Sequence, residues 1–436
     1  FDYWASLGNR GWSWSDVLPV FKKSEDYQHG GDEFHGSGGE LRVEERRVNW
    51  EILDAWRDAA EECGIPKIEE FNRGDNFGNA YFQMNQKRGS RWSASKAYLR
   101  SVESRPNLTV LTNTHVEKIA LKEGANKLMA DGIHARIESE ASQLFTAKKE
   151  ILLAAGSIGS PQILQLSGIG SGKLLSEKGI NTNLNLEGVG ENLHDHLQVR
   201  SVYKVDNTVT LNQRANSFFG KLAMGMEYFL FKTGPLTMPP SQLGAFAKSD
   251  EEQTSANIEW HVQPLSLDKF GDPLHSYNAI TPSVCNLRPS SRGHVRIKSN
   301  DPQDSPAISP NYLSSPDDEA VAVNGLKFTR RIMAADALKK FNPIELKPGS
   351  EIQSYEQLLD AARNLGTTIF HPVGTCKMGS DEMAVVNDRL QVHGVDKLRV
   401  IDASIMPRIT SGNTNAPTVM IAEKGAQFIL KGESLS

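Results

Sequence analysis

A buried strand that leads into a glycine-bracketed helix constrains the fold of this chain more than any other feature. The segment EILLAAGSIGSPQILQLSGIG occupies residues 150–170. Its apolar run ends in Ala154, Ala155 and Gly156, whose small side chains let another backbone or a ligand approach closely. A proline near the start of the next helix and glycines at its end mark the helix boundaries. The pattern predicts a strand–turn–helix unit of an α/β layer, although tight strand-to-helix packing explains the same glycines without a ligand.

The middle of the chain has a different periodicity. Ile258, Trp260 and Val262 alternate with polar neighbours, and this period of two predicts half-buried antiparallel strands. The segment KLRVIDASIMP at 397–407 returns to a strand-and-turn pattern, and a helix is predicted from about 416 to 430. We therefore expect an α/β domain that is interrupted by an antiparallel unit and then resumed.

Composition and charge narrow the class of protein. A chain of 436 residues allows two or three domains at roughly 150 residues each. With 39% apolar and 23% charged residues it can build a sizeable core. The formal net charge of −5, with both signs interspersed, argues against a nucleic-acid partner. Cys63, Cys285 and Cys376 lie far apart, so we expect no disulfide framework and no metal site, which favours a reducing compartment.

Two further segments carry helix predictions. Residues 91–100 are predicted to be helical after Gly89 and Ser90. The apolar stretch SFFGKLAMGMEYFLF at 217–231 contains Lys221 and Glu227 and is too short and too charged to span a bilayer. We expect this stretch to be a helix packed on its domain, and the alternative is a helix lying on a membrane surface.

Five sequence blocks form an ordered set along the chain. They are the segment at 150–170, GVGENLHDH at 188–196, RPSSRGHVRIKSNDPQDSPAISPNYL at 288–313, FHPVGTCKMG at 370–379 and LRVIDASIMPRITSGNTNAPTVMIAEK at 398–424. In this order, the blocks resemble the glucose–methanol–choline (GMC) oxidoreductase family. The resemblance covers essentially the whole chain and leans to the choline-dehydrogenase-like and alcohol-dehydrogenase-like branch. It implies an FAD-binding domain of Rossmann type with an inserted antiparallel substrate domain, and oxidation of an alcohol to an aldehyde or ketone.

The resemblance also implies domain boundaries. Residues 1–104 would form the lid and part of the substrate domain, and 105–200 part of the FAD-binding domain. Residues 201–394 would form the substrate-binding domain, and 395–436 the last part of the FAD-binding domain.

His371 is the predicted catalytic base. It follows a predicted helix, precedes Pro372 and stands in a glycine-containing loop, where functional groups tend to lie. Imidazole titrates near neutrality, as removal of a hydroxyl proton requires. An isolated histidine is more often a surface or core residue, but the resemblance implies that the histidine at this motif position is catalytic.

Asn413 is the predicted partner of His371. The sequence GNTN alone is typical of a turn. The resemblance implies that the residue ten positions before Glu423 is a histidine or asparagine next to the catalytic histidine, which identifies Asn413. Its amide can donate a hydrogen bond to the substrate oxygen. Asn415 is the alternative for this role.

The resemblance assigns cofactor and substrate positions with less support from the residues themselves. The helix near Ala416 would direct its positive end toward the flavin ring. His261 and Asn286 are candidate substrate residues, and a solvated face is an equal explanation for both. The expected FAD-binding positions are Val116, Gly156, Asp402, Ala403, Asn413 and Thr414.

The glycine-rich GxGxxG motif that such a cofactor domain needs is absent from the sequence. We therefore expect the chain to lack its start, on the order of a hundred residues if a βαβ unit and lid are missing. On that expectation the chain as given binds FAD poorly, and its own activity is doubtful.

Other functions stay open at this stage. An oxidase using oxygen, a hydroxynitrile lyase of the same fold, and a non-catalytic remnant are alternatives to a dehydrogenase that passes electrons to a quinone or an electron-transfer protein. A serine hydrolase is disfavoured because no GxSxG motif occurs. We expect a cytoplasmic or peripheral membrane location, with weak membrane association.

Overall fold

A computed structural model describes residues 1–125, 127–138 and 140–432. Within these residues, no helix is long and apolar enough to cross a membrane. The α-helices are α1 (Asp2–Ser6), α2 (Trp14–Ser24), α3 (Glu51–Glu62), α4 (Gly156–Leu166), α5 (Gly172–Glu177), α6 (Leu211–Asn216), α7 (Phe218–Phe231), α8 (Pro316–Met333), α9 (Tyr355–Leu365) and α10 (Asn415–Leu430).

The strands are distributed along the chain from Glu25 to Val400. They are β1 (Glu25–Tyr27), β2 (Leu41–Val43), β3 (Gly78–Tyr81), β4 (Gln86–Lys87), β5 (Ser90–Arg91), β6 (Thr114–Glu123), β7 (Leu128–Ile137), β8 (Gln143–Thr146), β9 (Ile151–Leu153), β10 (Ile169–Gly170), β11 (Leu184–Asn185), β12 (Leu197–Arg200), β13 (Val202–Lys204), β14 (Leu243–Ala247), β15 (Ile258–Gln263), β16 (Ala279–Asn286), β17 (His294–Arg296), β18 (Ala307–Ser309), β19 (Ile344–Lys347), β20 (Gly366–Thr368), β21 (Val395–Asp396) and β22 (Leu398–Val400).

The largest sheet is antiparallel and has eight strands. Its main path runs β19-β13-β16-β15-β14-β3, and β12 pairs with both β16 and β20. The α8 and α3 helices cover one face of this sheet, where Trp56, Trp260 and Phe341 are fully buried in a single apolar core. The predicted antiparallel unit is therefore confirmed.

The α/β layer is formed by segments that are distant in sequence. Strand β22 pairs in parallel with β9, with Leu398 opposite Ile151. Strands β6, β7, β8 and β21 form a second sheet, in which β21 is parallel to β7. The end of the chain thus returns to the layer that the segment at 150–170 began, as the sequence predicted.

A second apolar core joins the first residues of the chain to this layer. It contains Trp4 and Trp12, the β9 residue Leu153 and the α10 residue Met420. Side chains from Val373 to Val392 also pack in this core rather than under the large sheet. The domain boundaries remain a proposal, and this packing is the observation that bears on the one at residue 394.

Strand β15 corrects the expectation of half-buried strands. All six of its residues are buried, including Glu259, His261 and Gln263. The alternation of polar and apolar residues is present, but the polar face is covered by protein instead of water. A period of two reports that the two faces differ and does not report what covers each of them.

Two helix predictions are confirmed only in part. The helix predicted at 91–100 is shorter and spans Ser95–Leu99 as a π-helical turn, because Ser90 and Arg91 pair with Gln86 and Lys87 in a hairpin. The α7 helix forms as predicted but is not packed on its domain, since Met224 is its buried residue and Phe219 is 79% exposed.

Candidate active site

His371 lies in a loop that the protein holds at its backbone. Strand β20 precedes this loop, and the His371 backbone N–H donates to Oδ1 of Asp195 at 2.9 Å. The other oxygen of Asp195 accepts hydrogen bonds from Thr368 and Tyr312. Burial raises the pKa of Asp195, and its several donors act in the opposite direction. The carboxyl group of Asp195 therefore holds Thr368, Tyr312 and the backbone of His371 together.

The ring of His371 is fixed by a second histidine. Nδ1 of His371 and Nδ1 of His196 lie 3.1 Å apart, and Nε2 of His196 lies 3.1 Å from the carbonyl oxygen of Leu287. A carbonyl can only accept, so Nε2 of His196 carries a proton. When His196 is neutral, its Nδ1 is an acceptor and His371 must donate from Nδ1. Nε2 of His371 then carries a lone pair.

Both rings are held in the neutral state. His371 is 8% exposed, and burial, followed by the nearby His261, lowers the pKa of His371 to about 3. Burial also lowers the pKa of His196 well below its ordinary value. The tautomer of His371 inferred above is therefore the state present at neutral pH.

A third histidine supports the segment that leads to Asn413. Nδ1 of His194 lies 2.7 Å from the carbonyl oxygen of Asn192, and the N–H of Ile409 donates to Nε2 of His194 at 2.8 Å. Burial lowers the pKa of His194 to about 3, so the ring is neutral and can accept at Nε2. The segment is anchored at Ile409, four residues before Asn413.

Asn413 itself is exposed and less constrained. Its side chain makes no hydrogen bond, to His371 or to another residue, within the described part of the chain. Thr414 is buried at the start of α10. The alternative candidate, Asn415, is also exposed, and its amide donates to Asn85 at 3.1 Å. The structure thus places the predicted pair on two supported segments without joining the side chains.

The expected FAD-binding positions at Gly156 and Asp402 are brought together. Oδ2 of Asp402 accepts from the N–H of Gly156 at 2.9 Å and from the hydroxyl of Ser160. Gly156 has φ of +77°, and the space around it would be open to an added Cβ. A glycine in the left-handed conformation with free space in front of it, at the end of a parallel strand, fits the approach of a dinucleotide. Ala403 follows Asp402 in a short 3₁₀ turn.

The first turn of α4, which begins at Gly156, is hydrogen-bonded to the loop of His371. The hydroxyl of Ser157 donates to the carbonyl of Pro372 at 2.7 Å, and the hydroxyl of Thr375 donates to the carbonyl of Ser157 at 2.7 Å. Val116 lies elsewhere, on β6 beside a bulge, and no contact joins it to His371 or Asp402 in the described chain.

The polar face of the large sheet lies toward His371. His261 stacks on Phe82 with ring centroids 5.2 Å apart, and it contributes to the lowered pKa of His371. Asn286 is paired with Ile258 and lies on the opposite face, where its amide donates to Asp318 at 3.0 Å. The structure therefore brings His261 to the site and leaves Asn286 away from it.

Three buried side chains on the polar face could also hold a metal ion. Ligand atoms of Glu259, His261 and Cys285 lie within 4.8 Å of one another. The expectation of no metal site remains a prediction.

Sequence reasoning missed the residues that hold His371. His194, Asp195 and His196 all lie in the block GVGENLHDH, which served as a family marker without roles for its side chains. Three ionisable residues in a row are an unusual pattern directly before the buried strand β12. That cluster is the signal from which a function could have been predicted.

Comparison with known proteins identifies the family of the chain. The model of the GMC oxidoreductase family matches residues 1–198 with its N-terminal part and residues 289–422 with its C-terminal part. An alcohol dehydrogenase (acceptor) from Pseudomonas putida is 35% identical over 437 residues, covering 99% of this chain and 78% of the relative.

Two further relatives are similar over the same extent. An oxygen-dependent choline dehydrogenase from Escherichia coli is 38% identical, covering 100% of this chain and 78% of the relative. The crystal structure of pyridoxine 4-oxidase from Mesorbium loti superposes with a TM-score of 0.86 at 29% identity, covering 99% of this chain and 80% of that one.

Proposed function

Because the chain belongs to the GMC oxidoreductase family, we propose that His371 is the base with which its FAD-loaded enzyme oxidises an alcohol. The protein is an FAD-dependent oxidoreductase, and its substrate is a small-molecule alcohol. The observation that carries the proposal is the contact between Nδ1 of His371 and Nδ1 of His196. It supports a free lone pair on Nε2 of His371, where a hydroxyl proton can be accepted.

The residues around His371 supply what this reaction needs from the protein. Bound FAD serves as the acceptor of the hydride that leaves the carbinol carbon. Gly156 and Asp402 would hold the dinucleotide, and the N-terminal end of α10 would favour negative charge on it. Asn413 would donate an amide hydrogen bond to the substrate oxygen as the proton leaves, which stabilises the developing charge.

The test is anaerobic mixing of the FAD-loaded enzyme with a panel of primary and secondary alcohols. We expect the flavin absorbance to bleach with at least one alcohol, with one carbonyl product formed per flavin reduced. Carbonyl formation without bleaching would indicate a lyase and contradict the proposal. Absence of bound flavin and of any reaction would support a non-catalytic protein.

We further propose an electron acceptor other than oxygen, such as a quinone or an electron-transfer protein. The relative from Pseudomonas putida, named for an unspecified acceptor, supports this. The turnover rate with a dye or soluble quinone should exceed that with oxygen at equal alcohol concentration. Faster turnover with oxygen would identify an oxidase instead.

Weak membrane association is part of the same proposal. The α7 helix exposes several apolar side chains and carries cations at Lys221 and Lys232. An apolar face with nearby cations is typical of helices that lie on anionic bilayers. Vesicles containing anionic lipid should sediment the enzyme, and Phe219→Ser with Phe229→Ser should reduce that binding. The exposed apolar side chains of α7 are Phe218, Phe219, Leu222, Met226, Phe229, Leu230 and Phe231.

A further inference from the structure

One face of β12 continues from the catalytic histidine pair into the large sheet. His196 contacts His371, and Gln198 and Arg200 follow at alternate positions, so the three side chains share a face. An extended chain of four residues separates the Cα atoms of His196 and Arg200 by about 13 Å. Arg200 therefore lies on the same face of the sheet as His196, about 13 Å farther along the strand.

Arg200 is a buried cation that has no ion-pair partner among the described residues. The residue is 7% exposed, and neither Nε nor Nη2 has a hydrogen-bond partner within the described chain. The contact it does make is with the ring of Phe270, whose centroid lies 4.6 Å from the guanidinium carbon. Burying a guanidinium without a counter-charge is costly. An anion that arrives from solution would remove this cost.

Ser283 stands beside Arg200 and has the same deficiency. The two residues are directly paired across β12 and β16. Ser283 is fully buried, and its hydroxyl has no hydrogen-bond partner among the described residues. Paired residues of antiparallel strands have Cα atoms about 5 Å apart. A planar guanidinium and a free hydroxyl at this spacing match the two oxygens of a carboxylate.

An aromatic contact connects Arg200 to the loop of His371. Phe270, which lies under the guanidinium, contacts Phe370 with ring centroids 5.4 Å apart. Phe370 directly precedes His371. Arg200 thus adjoins the same site and is not part of a separate surface.

The nearby acid does not neutralise Arg200. Oε1 of Glu259 lies 3.1 Å from Nε2 of His261, which is an ion-pair distance, whereas no carboxylate in the described residues forms an ion pair with Arg200. Glu259 is paired with Cys285, and Arg200 with Ser283, so they occupy neighbouring rows of the sheet with β16 between them. Glu259 therefore lies beside His261, and Arg200 has no carboxylate partner within the described residues.

We propose that Arg200 and Ser283 bind a carboxylate of the substrate, so that the enzyme oxidises a hydroxy acid whose hydroxyl and carboxylate are several carbons apart. This inference rests on the proposed function, because it places the hydroxyl at His371. The same residues make a quaternary ammonium substrate unfavourable, since a buried guanidinium repels a cation.

The test compares hydroxy acids of increasing chain length with their methyl esters in anaerobic flavin reduction. We expect the wild-type enzyme to prefer the acid, and Arg200→Gln to lower the ratio of kcat/KM for acid over ester by about 100-fold. Arg200→Lys should retain part of the preference, and Ser283→Ala should lower it by about tenfold. Arg296→Gln, at an exposed arginine paired with Glu191, is the matched control and should leave the ratio unchanged.

An equal loss for acid and ester in Arg200→Gln would overturn the inference, as would a wild-type enzyme that prefers the ester. Calorimetric binding of a non-oxidisable dicarboxylate such as glutarate separates this result from failure of the proposed function. Wild-type binding that Arg200→Gln abolishes would support the anion site even if no alcohol reduced the flavin. Equal binding by both proteins, or binding by neither, would overturn it.

Discussion

His371 and Asn413 are the two members of one predicted catalytic pair, and they differ in burial and in the hydrogen bonds that hold them. The backbone of His371 is held by Asp195, its ring is held by His196, and it is 8% exposed. Asn413 is exposed, and its side chain has no hydrogen bond within the described chain, although the segment before it is anchored at Ile409.

The comparison distinguishes a side chain that the protein orders by itself, His371, from one that lacks a hydrogen-bond partner within the described chain, Asn413. His371 has its tautomer and orientation without a ligand, and on the proposed function this lowers the cost of ordering it during the reaction. On the proposed function, the Asn413 amide would acquire its partner when a substrate oxygen binds. Variants at these positions should therefore differ both in size of effect and in the step that they affect.

The largest effect is expected from His371→Ala. Loss of the base should lower the rate of anaerobic flavin reduction by about 10³-fold, with FAD content unchanged. Stopped-flow absorbance at saturating alcohol measures this rate. Reduction at the wild-type rate would show that another group takes the proton.

A smaller loss, about 10²-fold, is expected from Asn413→Ala, because one hydrogen bond to the developing charge disappears. Asn415→Ala is the matched comparison and should cost less than tenfold. If Asn415→Ala had the larger effect in the same assay, the role would belong to Asn415.

An effect of about tenfold is expected from His196→Leu, since His371 loses the acceptor for its Nδ1 proton. His196→Asn offers a carbonyl oxygen as acceptor and should recover most of the rate. Nitrogen NMR of labelled histidine should show His371 protonated at Nδ1 in the wild type and as a tautomer mixture in His196→Leu. An unchanged spectrum in that variant would contradict the inferred hydrogen bond from His371 to His196.

The last prediction concerns stability and should be invisible at neutral pH. His194, His196 and His371 have lowered pKa values in the fold, so the unfolded chain binds more protons than the native one below pH about 6.5. The free energy of unfolding should fall as pH decreases from 6.5 toward 3, by up to about 1.4 kcal/mol per pH unit for each histidine.

Replacing His194 isolates one of these contributions. Denaturant unfolding of His194→Asn at several pH values should give a shallower decrease than the wild type between pH 6.5 and 4.5. A steeper decrease in the variant would mean that His194 is protonated in the fold.

The sequence was sufficient for the features that depend on local pattern. The strand and helix at 150–170 and the antiparallel unit formed where periodicity and turn residues predicted them. The support of His371 by His196 could not be predicted in this way, because 175 positions separate the two residues and the contact depends on how β12 meets β20.

The buried polar face had a different cause of failure. Glu259, His261 and Gln263 have the spacing of a solvent-facing row, and spacing carries no information about the side chains that cover them, such as Phe82 over His261. The same limit applies to α7, whose apolar composition predicted burial although most of its apolar side chains are exposed.

The two hydroxyl groups that join α4 to the loop of His371 have a mechanical consequence. Ser157 and Thr375 bind the two segments reciprocally, each through a backbone carbonyl. Any displacement of the first turn of α4 is transmitted to Pro372 and so to the base beside it. The position of His371 is therefore referenced to the first turn of α4, the turn proposed to hold the dinucleotide, so side chains of the large sheet can change without moving His371 relative to that turn.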